Sequence, residues 1–203
     1  MALKFQYNKT ALQSLNKQLN MRIKALPTIK NKEAALRLEV KKAKDKIIEI
    51  ENKLKLKLES HVISAGMWNE FIPNLIAIEE IQVGTKKIAG VKIPVLEQVI
   101  FKQEEFSLFD YPKWFPKGIS IIKELAEIVT EKEFFSRKMM LLDHARRKTT
   151  QKVNLYEKVQ IPGYQDAILK IKRFLEDEEN LSKSAQKIVK KRQQKKQRKK
   201  YDS

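Results

Sequence analysis

Residues 10–61 carry mostly apolar side chains at alternating spacings of three and four: Leu12, Leu15, Leu19, Arg22, Leu26, Ile29, Glu33, Leu36, Val40, Ala43, Ile47, Ile50, Leu54, Lys57 and His61. Lys, Gln, Asn and Glu dominate the positions between. That pattern predicts one long helix with a single greasy stripe, the signature of a coiled-coil seam. At 1.5 Å per residue it is a rod of roughly 80 Å, which cannot bury its stripe alone. A second stretch, from about Gly118 to Lys196, supplies the partner. Its seam reads Ile121, Leu125, Ile128, Lys132, Phe135, Met139, Leu142, Arg146, Thr149, Val153 and Tyr156. A weaker stripe follows at Ile168, Ile171, Leu175, Leu181, Ala185 and Ile188.

Asn8 or Thr10 is expected to cap the first helix. Pro27 removes one hydrogen bond and crowds the carbonyl four residues back, which predicts a kink near Ile23–Leu26. The alternative is that the first helix starts at Pro27, with a separate short helix before it. Between the two long stretches the composition changes, because four of the five Gly and four of the six Pro fall between Gly66 and Gly118. Glu79–Val83 and Val91–Val95 read as strands flanking a turn from Gly84 to Gly90, a β-hairpin with an edge-type proline. Phe101, Phe106, Phe109, Tyr111, Trp114 and Phe115, with Trp68 and Phe71, are the candidates for a small aromatic core. The expected fold is mainly α: a long antiparallel two-helix coiled coil with a small mid-chain β-hairpin head. Its parts are an N-terminal helix over 1–65, a head over 66–117 and a C-terminal helix with a basic tail over 118–203. The hairpin Ile81–Val95 is expected to be a contact and regulatory element outside the core.

Charge changes this picture at one end. The net charge is +18, and nine Lys or Arg against Asp202 fall between Lys187 and Ser203. Such an excess implies an anionic partner or a solvated helix face. An antiparallel pairing in which facing residue numbers sum to roughly 180 to 185 sets Pro27 against Leu155–Lys158, about one turn from Pro162. It also leaves residues after about Ala185 with nothing to pair against.

Candidate chemistry is sparse. Cysteine is absent and there are two histidines, so neither a disulfide framework nor a zinc site is implied. Asp143 and His144 are sequence neighbours about 100° apart on a helix and cannot form an oriented acid–base pair. Gly84-Thr85-Lys86-Lys87 lacks the second glycine and the Lys-Ser/Thr order of a phosphate-cradling loop. No catalytic, metal-binding or cofactor-binding residues are expected, and no catalysis by the chain alone. No signal-like segment or membrane span is read in it, which makes a cytoplasmic location the expectation.

Three segments carry more specific information: Leu12 to Leu38, with its spaced leucines leading into Ile29-Lys30-Asn31-Lys32-Glu33-Ala34-Ala35-Leu36; Ile88-Ala89-Gly90-Val91-Lys92-Ile93-Pro94; and Lys152-Val153-Asn154-Leu155 followed by Val159, Ile161 and Pro162. In this order, and across nearly the whole chain, they resemble the D subunit of V-type ATPases and ATP synthases. The resemblance departs at Pro27, where a leucine is expected, and at Gln151 and Lys152, where an arginine pair is. It implies a non-catalytic, central-stalk rotor subunit whose two helices penetrate a hexamer of catalytic and non-catalytic subunits. The mid-chain region would meet the small F subunit of the stalk and the subunit coupling the stalk to the membrane ring, where protons or sodium ions move. It implies peripheral attachment to the membrane through the complex, with neither membrane insertion nor nucleic acid bound directly. The interface residues expected on this reading are Ile88, Gly90, Val91, Ile93, Pro94, Val153, Asn154, Leu181, Ala185 and Ile188. Two alternatives belong to other classes. A basic helical hairpin that binds nucleic acid would explain the charge and needs aromatics near the lysines to stack on bases. A scaffold that dimerises through its seam would not need the middle insert.

Overall fold

The computed structural model describes residues 4–61, 68, 70–72, 75–105, 107 and 111–201, without the side chains of His61 and of residues 196–201. The chain is mainly helical, with two long helical stretches on either side of a small two-stranded hairpin. Helix α1 spans Lys9–His61, strands β1 and β2 span Ile76–Ile88 and Val91–Gln103, and helix α2 spans Phe115–Asn154. A π-helical turn, Leu155–Gln160, leads directly into α3, Ile161–Tyr201. The described chain divides into two compact units, one of Met1–Lys30 with Gln151–Ser203 and one of Asn31–Thr150.

Asn8 is the residue that starts α1. Its Oδ1 accepts from the Ala11 N–H at 2.7 Å, so one of the unpaired donors of the first turn is satisfied, and Thr10 is already helical. The helix runs unbroken through Pro27, which removes the alternative of a start there. All fourteen seam positions of α1 with described side chains are at least partly covered, as are all eleven from Ile121 to Tyr156. The second helical stretch begins at Phe115, three residues before the expected glycine. There Gly118 sits under an aromatic cluster, and a Cβ on it would meet the Trp114 ring at 2.8 Å.

In the unit of residues 31–150, α1 and α2 pair antiparallel. Lys57 bonds Glu124, Lys132 reaches Glu51 at 2.9 Å, and the Thr150 hydroxyl donates to Glu33 at 3.1 Å. Glu33, Lys57 and Lys132 on the seam therefore find partners across the pair and fix its register. The hairpin turn is shorter than the sequence suggests. Strand pairing continues to Ile88↔Val91, so the turn is only Ala89-Gly90, with φ of 47° and 79°. Two positive φ values make the tight turn whose twist matches that of paired strands, and Gly90 supplies one without steric cost. Gly84 lies inside β1 opposite Val95, and the register slips once beside it, between Gln82 and Val83. Of the proposed aromatic core, Trp68, Phe71, Tyr111, Trp114 and Phe115 do pack ring on ring, with centroids 4.9–6.1 Å apart. Phe101 is in β2, opposite Ile78, and Phe106 and Phe109 lie outside the described residues.

The other unit pairs the start of α1 with the π turn and α3. Leu15, Tyr164, Ala167, Ile168 and Ile171 form its core, flanked by Phe5, Leu12, Leu19 and Leu175. Gln18 accepts from the Tyr164 hydroxyl at 2.8 Å and Arg22 donates to Gln160 at 2.7 Å, an antiparallel register in which facing numbers sum to about 182. Tyr7 packs on Phe174, with ring centroids 4.9 Å apart. Cover then ends sooner than expected. Every described side chain from Glu176 to Lys195 is exposed, so the uncovered overhang begins about three turns before Ala185.

Candidate interaction site

The hairpin was expected to lie outside the core, and at its tip this is corrected. Ile93 is 1% exposed and packs with Leu36, Val40 and Leu142, while Ile88, Ala89, Val91, Met139 and Ala145 close around them. The tip is a third element laid on the helix pair, covering a stretch of seam that two helices alone leave half open. Bringing Ile88, Val91 and Ile93 against partners on the order of 50 residues away in sequence requires a hairpin long enough to reach, and thirteen residues per strand supply that length. At its base, Glu104 N–H donates to the Leu75 carbonyl and Lys123 to Gln103.

Between tip and base the hairpin stands away from α2 and leaves a groove of about 600 Å³. Pro94–Val99 form one wall, Glu127, Ile128, Glu131, Phe134, Phe135 and Lys138 the other, and Lys53 closes one side. Its floor is apolar and its rim carries charges of both signs. Ile78, Ile81, Val83 and Val95 of the hairpin are exposed. The groove was not foreseen in the sequence, because a short strand reading ending at Val95 gives β2 no length with which to wall it.

In the unit of residues 1–30 and 151–203 the notable feature is a polar layer on an otherwise apolar seam. Arg22 donates to Gln160 Oε1 and to the Gln18 carbonyl, and its guanidinium lies over the Tyr164 ring at 4.5 Å and near that of Tyr156 at 6.0 Å. Lys30 and Glu157 pair at 2.8 Å. A half-buried Arg in such a cage is satisfied by hydrogen bonds and by the negative faces of two rings. Beyond the covered part of α3, Leu181 is 72% exposed and Ile188 54%.

Acid–base chemistry finds no footing in the described residues. Asp143 accepts from Arg146 at 2.9 Å and from Arg147 at 2.7 Å, not from His144. The Arg146 hydrogen bond, opposed by partial desolvation and reinforced by Arg147, holds its carboxyl below the ordinary range. No group of three or more His, Asp or Glu suited to a metal ion occurs among the described residues. No described helix is long and apolar enough to cross a membrane.

The ten interface residues expected from sequence fall into three groups. Ile88, Gly90, Val91, Ile93 and Pro94 are together at the hairpin tip, where Ile93 is buried, Ile88, Val91 and Pro94 are half-buried and Gly90 is exposed. Val153 and Asn154 end α2, the first half-buried and the second exposed. Leu181, Ala185 and Ile188 all lie on the exposed overhang. Gln160 and Tyr164, which cage Arg22, were missed: Gln160 continues the spacing four residues past Tyr156, where the seam reading stopped, and Tyr164 lies beyond a change of phase; Arg22 itself, a cation on a seam position, was the signal.

These features define a class, a helix-pair protein with an appended hairpin. The chain belongs to the family of ATP synthase D subunits, whose sequence profile matches residues 11–191. It is similar to the D subunit of the V-type ATP synthase of Borreliella burgdorferi, at 30% identity over 92% of this chain and 94% of that protein. The proteins of the same name from Chlamydia muridarum and Chlamydia trachomatis serovar L2 are 28% and 26% identical, each over 95% of this chain and 97% of theirs.

Proposed function

We propose that the chain is a non-catalytic central-stalk rotor subunit of a V-type ATP synthase, carrying torque between the catalytic hexamer and ion movement through the membrane ring. The single observation that carries this is the family match across almost the entire chain, by relatives of nearly equal length. A shaft requires stiffness and register and no active site, and long paired helices with polar cross-links supply the first two. Its partners on this reading are the catalytic and non-catalytic subunits of the hexamer, the small F subunit of the stalk, and the subunit that joins stalk to ring. The chain then works in the cytoplasm, peripheral to the membrane through the complex. Residues 1–65 and 118–203 serve as the helical shaft and 66–117 as the head that meets the lower partners. Gly90, Asn154, Leu181, Ala185 and Ile188 are the contact residues with exposed side chains or backbone. Ile88, Val91, Pro94 and Val153 contribute their open edges, and Ile93 anchors the hairpin that presents them.

Co-purification of the full chain from its native host tests the reading. Recovery of the hexamer subunits with a small stalk partner is the expected result, and truncation after Gln186 is expected to weaken assembly modestly and to loosen the coupling of ATP turnover to rotation. Recovery of RNA that survives physiological salt and disappears with the tail would overturn the rotor role of that segment, since purely electrostatic phosphate binding falls steeply with salt.

A further inference from the structure

The helix pair of residues 1–30 and 151–203 has two breaks in its backbone ladder at one height. Pro27 has no N–H, so α1 lacks the bond that would run to the Ile23 carbonyl. Pro27 lies between Arg22 and Lys30, and those side chains reach Gln160 and Glu157, both in the π turn. There the Ile161 N–H donates to the Tyr156 carbonyl, five residues back, and Pro162 follows with no donor of its own.

Burial along the helix gives the reason for the turn. Thr149, Val153 and Tyr156 keep the three-four spacing, which if continued would bring Lys170 and Phe174 onto the seam. Gln160 and Ala167 still fall on that spacing and are covered, but Tyr164, Ile168, Ile171 and Leu175 are covered beside them, and Lys170 and Phe174 are exposed. The seam has moved on by one residue. A π turn holds one residue more than an α turn, so it absorbs the surplus and leaves the helices on both sides in phase.

The geometry points to Leu155–Gln160, set against Pro27, as a compliant joint built into the helix pair: a turn with one surplus residue whose backbone bonds open and re-form more readily than those of the α ladder beside it. The contacts at this height suit that role. They are hydrogen bonds, an ion pair and cation–ring contacts, which re-form after a displacement, whereas interdigitated apolar side chains resist one. Leu155 and Val159 are exposed, so motion of the turn uncovers little.

Amide hydrogen exchange in the full chain tests the joint directly, and its result is independent of the rotor reading. In the unaltered protein, the amides of residues 155–161 should exchange on the order of tenfold or more faster than those of Ile168–Ile171. Pro162→Ala combined with deletion of Val159 should restore a continuous α ladder. Exchange at residues 155–161 should then slow to within a few-fold of the flanking helix, with Ala167, Ile168 and Ile171 still protected. Pro162→Ala combined with deletion of Lys172 is the control, because it removes a residue where the helix has none to spare and should expose Leu175. Equal exchange at the turn and at Ile168–Ile171 in the unaltered protein would overturn the joint. Loss of protection at Ala167 and Ile168 on deleting Val159 would overturn the surplus-residue account.

Discussion

The two units are built on the same three-four seam and cover it by different means. In residues 31–150 the hairpin tip is added to the pair, and Leu36, Ile93 and Leu142 reach 0–1% exposure at one point. Among the described residues of 1–30 with 151–203, the cover beyond the pair is the short leading segment of Phe5 and Tyr7, and the stripe ends in an exposed overhang. Charge follows the same division. The first unit has 22 basic and 18 acidic residues, the second 21 and 7, and residues 1–30 contain no acid at all. In residues 31–150 most of the described ion pairs link residues one turn apart on the same helix, and Lys57–Glu124 and Lys132–Glu51 cross the pair. The unit of residues 1–30 with 151–203 keeps a positive excess.

The largest expected effect tests the better-covered side of that comparison. Leu142→Ala removes a fully buried side chain beneath the hairpin tip and is expected to destabilise the unit of residues 31–150 by about 2–5 kcal/mol. Chemical denaturation measures the loss, and hydrogen exchange at Ile88 and Val91 should accelerate with it as the tip detaches. A cost under about 1 kcal/mol with tip exchange unchanged would show that the hairpin rests on the helices without completing their core.

Gly90→Val probes the same tip through the backbone. A β-branched residue at φ 79° is expected to cost about 1–2 kcal/mol and to loosen the turn. Gly84→Ala is the informative contrast. The added methyl would meet the Glu97 carboxylate, but that is the far end of a flexible side chain that can swing away, so its cost should be well below that of Gly90→Val. If the two rank the other way, the strand slip beside Gly84 and not the turn sets the hairpin's geometry.

How much of this was legible in the sequence follows the physics of range. The α1 seam was readable position by position, because helical periodicity is local and three-four spacing over fifty residues has few other interpretations. The aromatic cluster was readable as composition. The hairpin turn was misplaced because Gly84 resembles a turn residue, whereas the pairing that carries β1 through it depends on a partner strand more than ten residues away. Burial of Ile93 against Leu36 and Leu142 is a contact between segments distant in sequence, and no local pattern encodes it. The seam past Tyr156 was read too far along α3, to Leu181 and Ile188, since periodicity gives a stripe but not whether a partner exists to cover it.

Asn8→Ala tests the open end of the less covered unit. Removal of the Oδ1 acceptor at 2.7 Å from Ala11 should cost about 1 kcal/mol, with Asn8→Asp or Asn8→Ser recovering most of it. The melting curve followed by circular dichroism is the measurement. Because Phe5 and Leu12 on either side belong to the core of that unit, a cost near zero would mean that their packing and not the cap fixes where α1 begins.

The smallest effect compares two carboxylates, one in each unit. Arg146 and Arg147 lower the titration of Asp143, and Lys183 lowers that of Glu179 through a hydrogen bond of the same kind. A carboxyl whose folded value lies below its unfolded one adds stability above the unfolded value, and that stability is lost as the pH falls through the lowered folded value. Asp143 sits on α2 beside the covered seam, with its side chain 23% exposed, and its pairs should contribute about 0.3–0.5 kcal/mol, vanishing below about pH 4. Glu179 lies on the exposed overhang, where loss of its partner should lower local helicity without touching any packed core. Asp143→Asn should therefore flatten the acid limb of the stability of residues 31–150, while Glu179→Gln leaves the protection of Ile168 and Ile171 unchanged across the same range. If Glu179→Gln weakens that protection, the overhang is coupled to the core of its unit, and the boundary drawn at Leu175 between paired and unpaired helix is in the wrong place.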